Sequence, residues 1–278
     1  MPHVVALYRH PVKGFTPEKL PALTVQADGR IAGDRVLAFR FADATMPDDR
    51  DGLDYWPKSK GLALESFPSL SVLSVSYDDG ARRVRIERDG FLLVDARIDE
   101  KGRADLVEAI TEFVLASPEA RYLNRPGRMP LSLVGDGETS RFQDRPRGYV
   151  SVHSRASVGA LGEALGADID DRRFRSNVVI DGADAWEELT WSGRAAIGDV
   201  EFTVDDPIVR CLATHAHPDL GIRDAPVLTT LTGALGQARP SLGRLLLLRG
   251  VSGDVSDRSG EGGVIRVGDE VRVLPDTG

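Results

Sequence analysis

Alternating apolar and polar positions govern the first third of the chain and predict short strands at His3 to Tyr8, Val36 to Phe41, Leu70 to Val75, Arg83 to Glu87 and Phe91 to Val94. Between them stand Asp28-Gly29, Asp78-Asp79-Gly80 and Asp89-Gly90, pairs that supply the positive φ angles of tight turns. Residues 43 to 61 are polar and longer than a usual connection, which points to a functional or mobile loop. The pattern then switches period. Leu106, Val107, Ile110, Phe113 and Val114 share one face at helical spacing and predict a helix from about Arg103 to Leu115.

Pro126 to Pro146 is dense in Pro, Gly and Asp and reads as a linker or surface loop. Beyond it, strands are expected at Tyr149 to His153, Asn177 to Asp181, Ala195 to Ile197, Val200 to Val204, Leu245 to Leu248, Val264 to Val267 and Val271 to Leu274. Helices are expected at Ser157 to Leu165 and Pro226 to Leu235, and a flexible Ser/Gly/Asp-rich interruption at 252 to 263. The fold class is mainly β with some α. A length of 278 residues accommodates two cores, and the division is expected near residue 120, with a strand-rich, barrel-like unit over 1–120 and a second barrel over 121–278.

Charge narrows the partners. Lys and Arg number 35 against 43 Asp and Glu, a formal charge of -8, which disfavours nucleic acid and anionic lipid. Met1-Pro2-His3-Val4-Val5 has no basic segment leading into an apolar one, and no apolar run approaches the roughly 20 residues that span a bilayer. A cytoplasmic protein without a membrane segment is expected. The single cysteine excludes an intramolecular disulfide and a four-cysteine iron–sulfur cluster held by this chain.

That cysteine, Cys211, follows a predicted strand, so its thiol falls at the rim of a sheet, where sites are built. A lone cysteine reads first as a small buried hydrophobe, yet Arg210 beside it favours the thiolate, the form that binds soft metals. His215 and His217 would share a face if extended, but no further ligand completes a metal spacing, and lining a turn is the simpler reading. Arg173 and Arg175 alternate around Phe174 and point the same way when extended, an arrangement that suits phosphate or a solvated edge paired with Asp170 and Asp171. P-loop, dinucleotide and nucleophile-elbow motifs are absent, and Glu187 and Glu188 have no partner base, so hydrolase readings lack a nucleophile.

Several segments, in order, resemble the MOSC family, named for the C-terminal domain of molybdenum cofactor sulfurase. Tyr8-Arg9-His10-Pro11-Val12-Lys13-Gly14 and Gly33-Asp34-Arg35 look like the β-barrel domain that accompanies many MOSC domains. Ala156-Ser157, Arg173-Phe174-Arg175-Ser176-Asn177, Glu187-Glu188-Leu189-Thr190-Trp191, Arg210-Cys211, Pro218-Asp219-Leu220-Gly221 and Val267-Gly268-Asp269 resemble the MOSC domain itself. The sequence departs from the family pattern at Ser176, in place of a usual proline, at Leu189, in place of an acidic residue, and at Ile208, where a second cysteine is common.

The resemblance implies a molybdenum–pterin cofactor with Cys211 as metal ligand and catalytic residue, and with Lys13, Arg35, Arg173, Arg175, Asn177 and Arg210 as cofactor contacts. One thiolate added to the pterin dithiolene already gives the metal three soft donors. Pyridoxal phosphate is not required. The activity implied is reduction of N-hydroxylated or N-oxide small molecules, with electrons from an external flavin or iron–sulfur protein. The alternatives are a non-catalytic carrier of cofactor or sulfur through a Cys211 persulfide, and a barrel that has lost the cofactor and binds another small ligand.

Overall fold

A computed structural model describes residues 1–50, 53–145, 147–250 and 262–274. The expected interruption at 252–263 lies almost wholly outside the described residues. The N-terminal stretch carries β1 (His3–Arg9), β2 (Glu18–Leu20), β3 (Ala22–Val25), β4 (Ala38–Arg40) and the hairpin of β5 (Asp48–Arg50) and β6 (Leu53–Tyr55), which occupies the long polar excursion. A three-stranded meander follows, β7 (Leu73–Asp78), β8 (Arg83–Arg88) and β9 (Phe91–Arg97), and runs into α1 (Glu100–Leu115). In β7, Leu73, Val75 and Tyr77 face inward and Ser74, Ser76 and Asp78 outward, as strict alternation requires. The expected strand at Leu70 to Val75 starts late, because Pro68 opens a 3-10 turn over Pro68–Val72.

Helix α1 begins three residues earlier than the apolar spacing alone suggests. The Asp99 carboxylate accepts from the Gly102 N–H and caps the first turn, while Leu106, Ile110 and Val114 are buried. Gly102 is demanded by packing: a Cβ there would stand 1.9 Å from the Arg97 carbonyl oxygen. After the short α2 (Ala120–Leu123), the expected linker instead supplies β10 (Ser132–Val134), which pairs with β4.

The remaining elements are β11 (Val150–Ser154), α3 (Arg155–Leu165), β12 (Val178–Asp181), α4 (Glu187–Thr190), β13 (Arg194–Ile197), β14 (Val200–Val209), α5 (Val227–Thr229), β15 (Ser241–Leu248), β16 (Gly263–Arg266) and β17 (Val271–Leu274). Helix α3 has a Ser154 cap and a left-handed Gly166 stop, and it carries the crossover between the parallel strands β11 and β12. The expected helix at Pro226 to Leu235 is reduced to α5 and a π turn over Thr230–Ala234. Its threonine hydroxyls bond back to the Pro226 and Leu228 carbonyls, which competes with regular helix.

One curled sheet of eight strands dominates, in the order β17-β13-β14-β15-β11-β12-β1-β2, and the protein is mainly β with some helix. Its first strand comes from the N-terminus: β1 pairs antiparallel with β12, Leu7 opposite Val178, and β3 pairs with β16. Val4, Leu7, Leu23, Val25 and Ile31 therefore pack with Phe202, Leu246 and Ile265 in one core. A second core gathers Phe15, Phe39, Phe67, Leu73 and Ile110. Two cores are present, but hydrogen bonding does not divide the chain at residue 120, because β1 and β2 extend the large sheet of the C-terminal half and β3 pairs with β16 in a separate ribbon.

A fragment of residues 121–278 would leave β12 with one exposed edge and Val178 and Ile180 half-covered. It is expected not to melt cooperatively by circular dichroism, whereas the full chain should. A sharply melting fragment would contradict this pairing.

Candidate functional site

The two halves meet around a cavity of about 300 Å³ whose wall contains Lys13, Arg35, Arg173, Arg175, Arg210 and Cys211. These residues are scattered over some two hundred positions of sequence. Backbone geometry brings them together. Lys13 sits after β1, where its N–H donates to the Leu37 carbonyl at 2.8 Å, and the next residue, Gly14, takes φ +85° so tightly that a Cβ would fall 2.7 Å from the Leu62 oxygen. The Lys13 ammonium donates to Asp144 Oδ1 at 2.7 Å. Burial pulls the Lys13 pKa below the ordinary lysine value, although Asp144 opposes the shift.

Arg35 and Arg175 both adopt left-handed backbone, φ 53° and 52°, a conformation that non-glycine residues hold only when surrounding structure enforces it. Here the enforcement is mutual. The Arg35 N–H donates to the His10 carbonyl at 2.7 Å, Arg35 Nη2 donates to the Arg175 carbonyl at 2.9 Å, and Arg175 Nη1 donates to the Phe15 carbonyl. Burial and the neighbouring Arg35 push the Arg175 pKa down to about 10. Arg210 is likewise buried, its guanidinium held by the Leu242 and Phe174 carbonyls and stacked over the Phe174 ring. Neither Arg175 nor Arg210 has a carboxylate within ion-pair distance among the described residues, so this end of the cavity holds cationic charge that burial penalises and an anion would relieve.

Arg173 and Asn177, for which the resemblance implied cofactor contacts, differ in placement. Arg173 lines the cavity, but its fork is turned onto Asp224, at 2.7 Å through both nitrogens, and its side chain is 2% exposed. Asn177 is fully buried and does not reach the cavity wall. It donates to the Tyr8 carbonyl and to Asp34 Oδ1, both at 3.2 Å, and accepts from the Ser151 hydroxyl at 2.9 Å. It ties the sheet together beneath the site.

Cys211 lies just past β14, half-buried and extended. The register of β14 against β15 shifts on either side of Pro207, which cannot donate to the ladder, and such bulges re-aim the following residues. Ile208, Arg210 and Cys211 reach the cavity from there. His215 and His217 are placed elsewhere: His215 Nε2 accepts from the Leu228 N–H and His217 Nδ1 from the Asp219 N–H, both at 3.1 Å. Among the described residues no three His, Cys, Asp or Glu side chains gather as a metal site.

Sequence reading passed over Lys58, Glu65, Asp144 and Arg239, which also line the cavity. Lys58 pairs with Glu65 at 2.8 Å, and the burial cost that would raise the Asp144 carboxyl is outweighed by Lys13, Lys58 and Arg35, which together hold it down to about 2. None of the four lies in a patterned segment. Asp144 and Lys58 fall in the two loops that carry the weakest periodicity.

The fold is mainly β, and its cavity is lined by Lys13, Arg35, Arg175 and Arg210 as well as by the Cys211 thiol. Residues 139–272 match the MOSC domain, so the chain carries a MOSC domain. It is 29% identical over 178 residues to the mitochondrial amidoxime-reducing component 1 of Danio rerio, covering 57% of this chain and 54% of that protein. It is 42% identical over 109 residues to the molybdenum cofactor sulfurase of Drosophila grimshawi, covering 38% of this chain but 12% of that protein. The chain thus spans about half of the first relative and about a tenth of the second. A solved structure, the YUAD protein from Bacillus subtilis, aligns over 98% of this chain and 94% of its own at a TM-score of 0.41 and 12% identity.

Two outcomes follow from the geometry. Arg175→Gly relaxes the φ of 52° and removes a buried cation, so cofactor-free protein should melt no lower than wild type while molybdenum content on purification from a cofactor-producing host falls. Equal molybdenum in both would remove Arg175 from the site. The second concerns pH. His10 and His153 are fully buried, and burial, reinforced by nearby arginines, lowers both from 6.5 to about 3. The unfolded chain binds these protons first, so their contribution to stability is complete above pH 6.5 and declines as pH falls toward 3. His153→Phe should flatten the fall in urea midpoint between pH 6.5 and 4. An unchanged slope would mean that His153 titrates normally.

Proposed function

We propose that this protein holds a molybdenum–pterin cofactor and reduces N-hydroxylated or N-oxide small molecules. The observation that carries the reading is one cavity with a thiol, Cys211, on its wall together with Lys13, Arg35 and Arg175, the last without a carboxylate at ion-pair distance among the described residues. A phosphate-bearing, metal-bearing group needs both ends at once. Lys13, Arg35 and Arg175 would hold the phosphate and pterin oxygens, with Arg210 behind them, and Cys211 would supply the protein's thiolate to the metal. When bound, the cofactor supplies two-electron oxygen-atom chemistry.

The net reaction breaks the N–O bond and releases the oxygen as water, consuming two electrons and two protons; an N-hydroxylated substrate gains an N–H bond in its place, whereas an N-oxide is left with its nitrogen lone pair. Both electrons come from a separate flavin or iron–sulfur protein, since one cysteine cannot hold a four-cysteine cluster. The chain's own contribution is placement. Arg35 and Arg175 are fixed by backbone carbonyls before any ligand arrives, and pre-ordered charge costs no reorganisation at the moment of reaction. The names of the two relatives, an amidoxime-reducing component and a molybdenum cofactor sulfurase, support a molybdenum assignment. No helix among the described residues is long and apolar enough to cross a membrane, and a cytoplasmic location with a small-molecule substrate and no nucleic-acid partner completes the proposal.

A second reading, sulfur carriage by a Cys211 persulfide, draws on the identity to the cofactor sulfurase. Turnover separates the two. Cys211→Ala and Cys211→Ser should both abolish reduction of benzamidoxime by molybdenum-loaded protein with reduced viologen as donor. The melting temperature of cofactor-free protein should fall by no more than about 4 °C, the equivalent of roughly 1 kcal/mol in a chain of this size. Normal turnover in variants that melt much earlier would make Cys211 a packing residue.

A further inference from the structure

The open side of the cavity, beside Cys211, carries a cation that the cofactor reading does not use. Strands β14 and β15 run antiparallel with Val209 opposite Ser241, and the Arg210 N–H donates to the Pro240 carbonyl at 2.7 Å. Cys211 and Arg239 each lie two residues beyond that last register pair, just outside the two strands. Adjacent strands lie about 4.8 Å apart, and both side chains line the same cavity. Both residues therefore border one space.

The other cations of the wall are occupied. Lys13 faces Asp144, Arg35 faces Asp34, Lys58 faces Glu65, Arg145 faces Asp206 and Arg173 faces Asp224. Arg210 is buried and Arg175 half-buried, and both are tied to carbonyl oxygens. Arg239 is exposed and, among the described residues, has no carboxylate or carbonyl partner for its guanidinium. Its backbone, by contrast, is anchored. The Gln237 side chain accepts from the Ser241 N–H at 2.8 Å, the Gln237 N–H donates to the Leu231 carbonyl at 3.0 Å, and Pro240 fixes the adjoining φ. A free guanidinium on a fixed base is how a protein presents a carboxylate clamp.

The same cavity also has apolar lining from Ala63, Leu64, Ile208 and Leu245 alongside Cys211. We infer that Arg239 is a specificity-determining residue and that the substrate is an N-hydroxylated compound with an apolar body bearing a carboxylate, held by Arg239 so that its N–O group faces the metal ligand Cys211. This inference rests on the reductase reading and names the substrate class within it. The carboxylate takes no part in the two-electron, two-proton reduction. It orients the molecule.

The test compares 4-carboxybenzamidoxime with benzamidoxime in wild type, Arg239→Ala and Arg239→Lys, each loaded with cofactor, with molybdenum content measured on every sample. Wild type should favour the carboxylated probe by about tenfold in kcat/KM, mostly through KM, as one charge-assisted fork would give. Arg239→Ala should bring the ratio near one, and Arg239→Lys should restore part of it. A wild-type ratio near one, or a ratio that survives Arg239→Ala, overturns the inference. So does loss of molybdenum in Arg239→Ala, since the arginine would then serve the cofactor. If neither probe is reduced, equilibrium dialysis of the same two compounds decides: Arg239-dependent preference for the carboxylated one upholds the clamp while the reductase reading fails, and equal binding rejects the clamp.

Discussion

The site depends on one buried carboxylate. Asp34 lies beneath the cavity and accepts from the His10 N–H at 2.8 Å, from Asn177 Nδ2 at 3.2 Å and from the Arg35 guanidinium. Its side chain is fully enclosed, and although burial alone would raise its pKa, Arg35 and His10 hold it well below the usual carboxylate range. A charge buried this way is tolerated only while its partners stay in place. Those partners come from the end of β1, from the turn after β3 and from the start of β12, three segments far apart in sequence. Asp34 thus fixes the N-terminal motif against the C-terminal sheet, and Lys13, Arg35 and Arg175 inherit their positions from that junction.

From this constraint follows the electrostatic character of the cavity. Asp34 compensates Arg35 from below, and Asp144, 63% exposed at the rim, compensates Lys13 from the side. Among the described residues no carboxylate stands within ion-pair distance of Arg175 or Arg210, and the more distant Asp34, Asp144 and Glu188 offset their burial only in part. A fold selected for stability alone would not hold two guanidiniums in this state, one of them with a left-handed backbone. The cost is accounted for if an anionic ligand binds there, because each buried cation then gains the partner that the protein withholds. The same logic assigns different tasks to neighbouring arginines. Arg173, forked onto Asp224, braces the wall, whereas Arg175, two residues on, faces the cavity with its charge unmet.

Much of this was legible in the sequence where a local rule applied. Period-two alternation located β8 and much of β7, helical spacing located α1 and α3, and Asp89-Gly90 marked the turn between β8 and β9. Rules of sequence spacing fail where a contact is long-range. The pairing of Leu7 with Val178 leaves no local trace, so the N-terminal strand was expected in a separate unit. The MOSC resemblance implied a cofactor contact at Asn177; here Ser151, Tyr8 and Asp34 surround it. Lys58, Asp144 and Arg239 sit in irregular segments whose direction is set by tertiary packing. The helix expected over Pro226 to Leu235 failed for a local reason, since threonine hydroxyls compete for the carbonyls that a helix needs.

The central claim is that this cavity joins a metal to the Cys211 thiolate while its arginine end holds the cofactor. X-ray absorption at the molybdenum edge reads that bond directly on protein purified from a cofactor-producing host. Wild type should show three sulfur neighbours, two from the dithiolene and one from Cys211, and Cys211→Ser should show two, with an oxygen or nitrogen in place of the third. An identical sulfur shell in the two proteins would contradict the account.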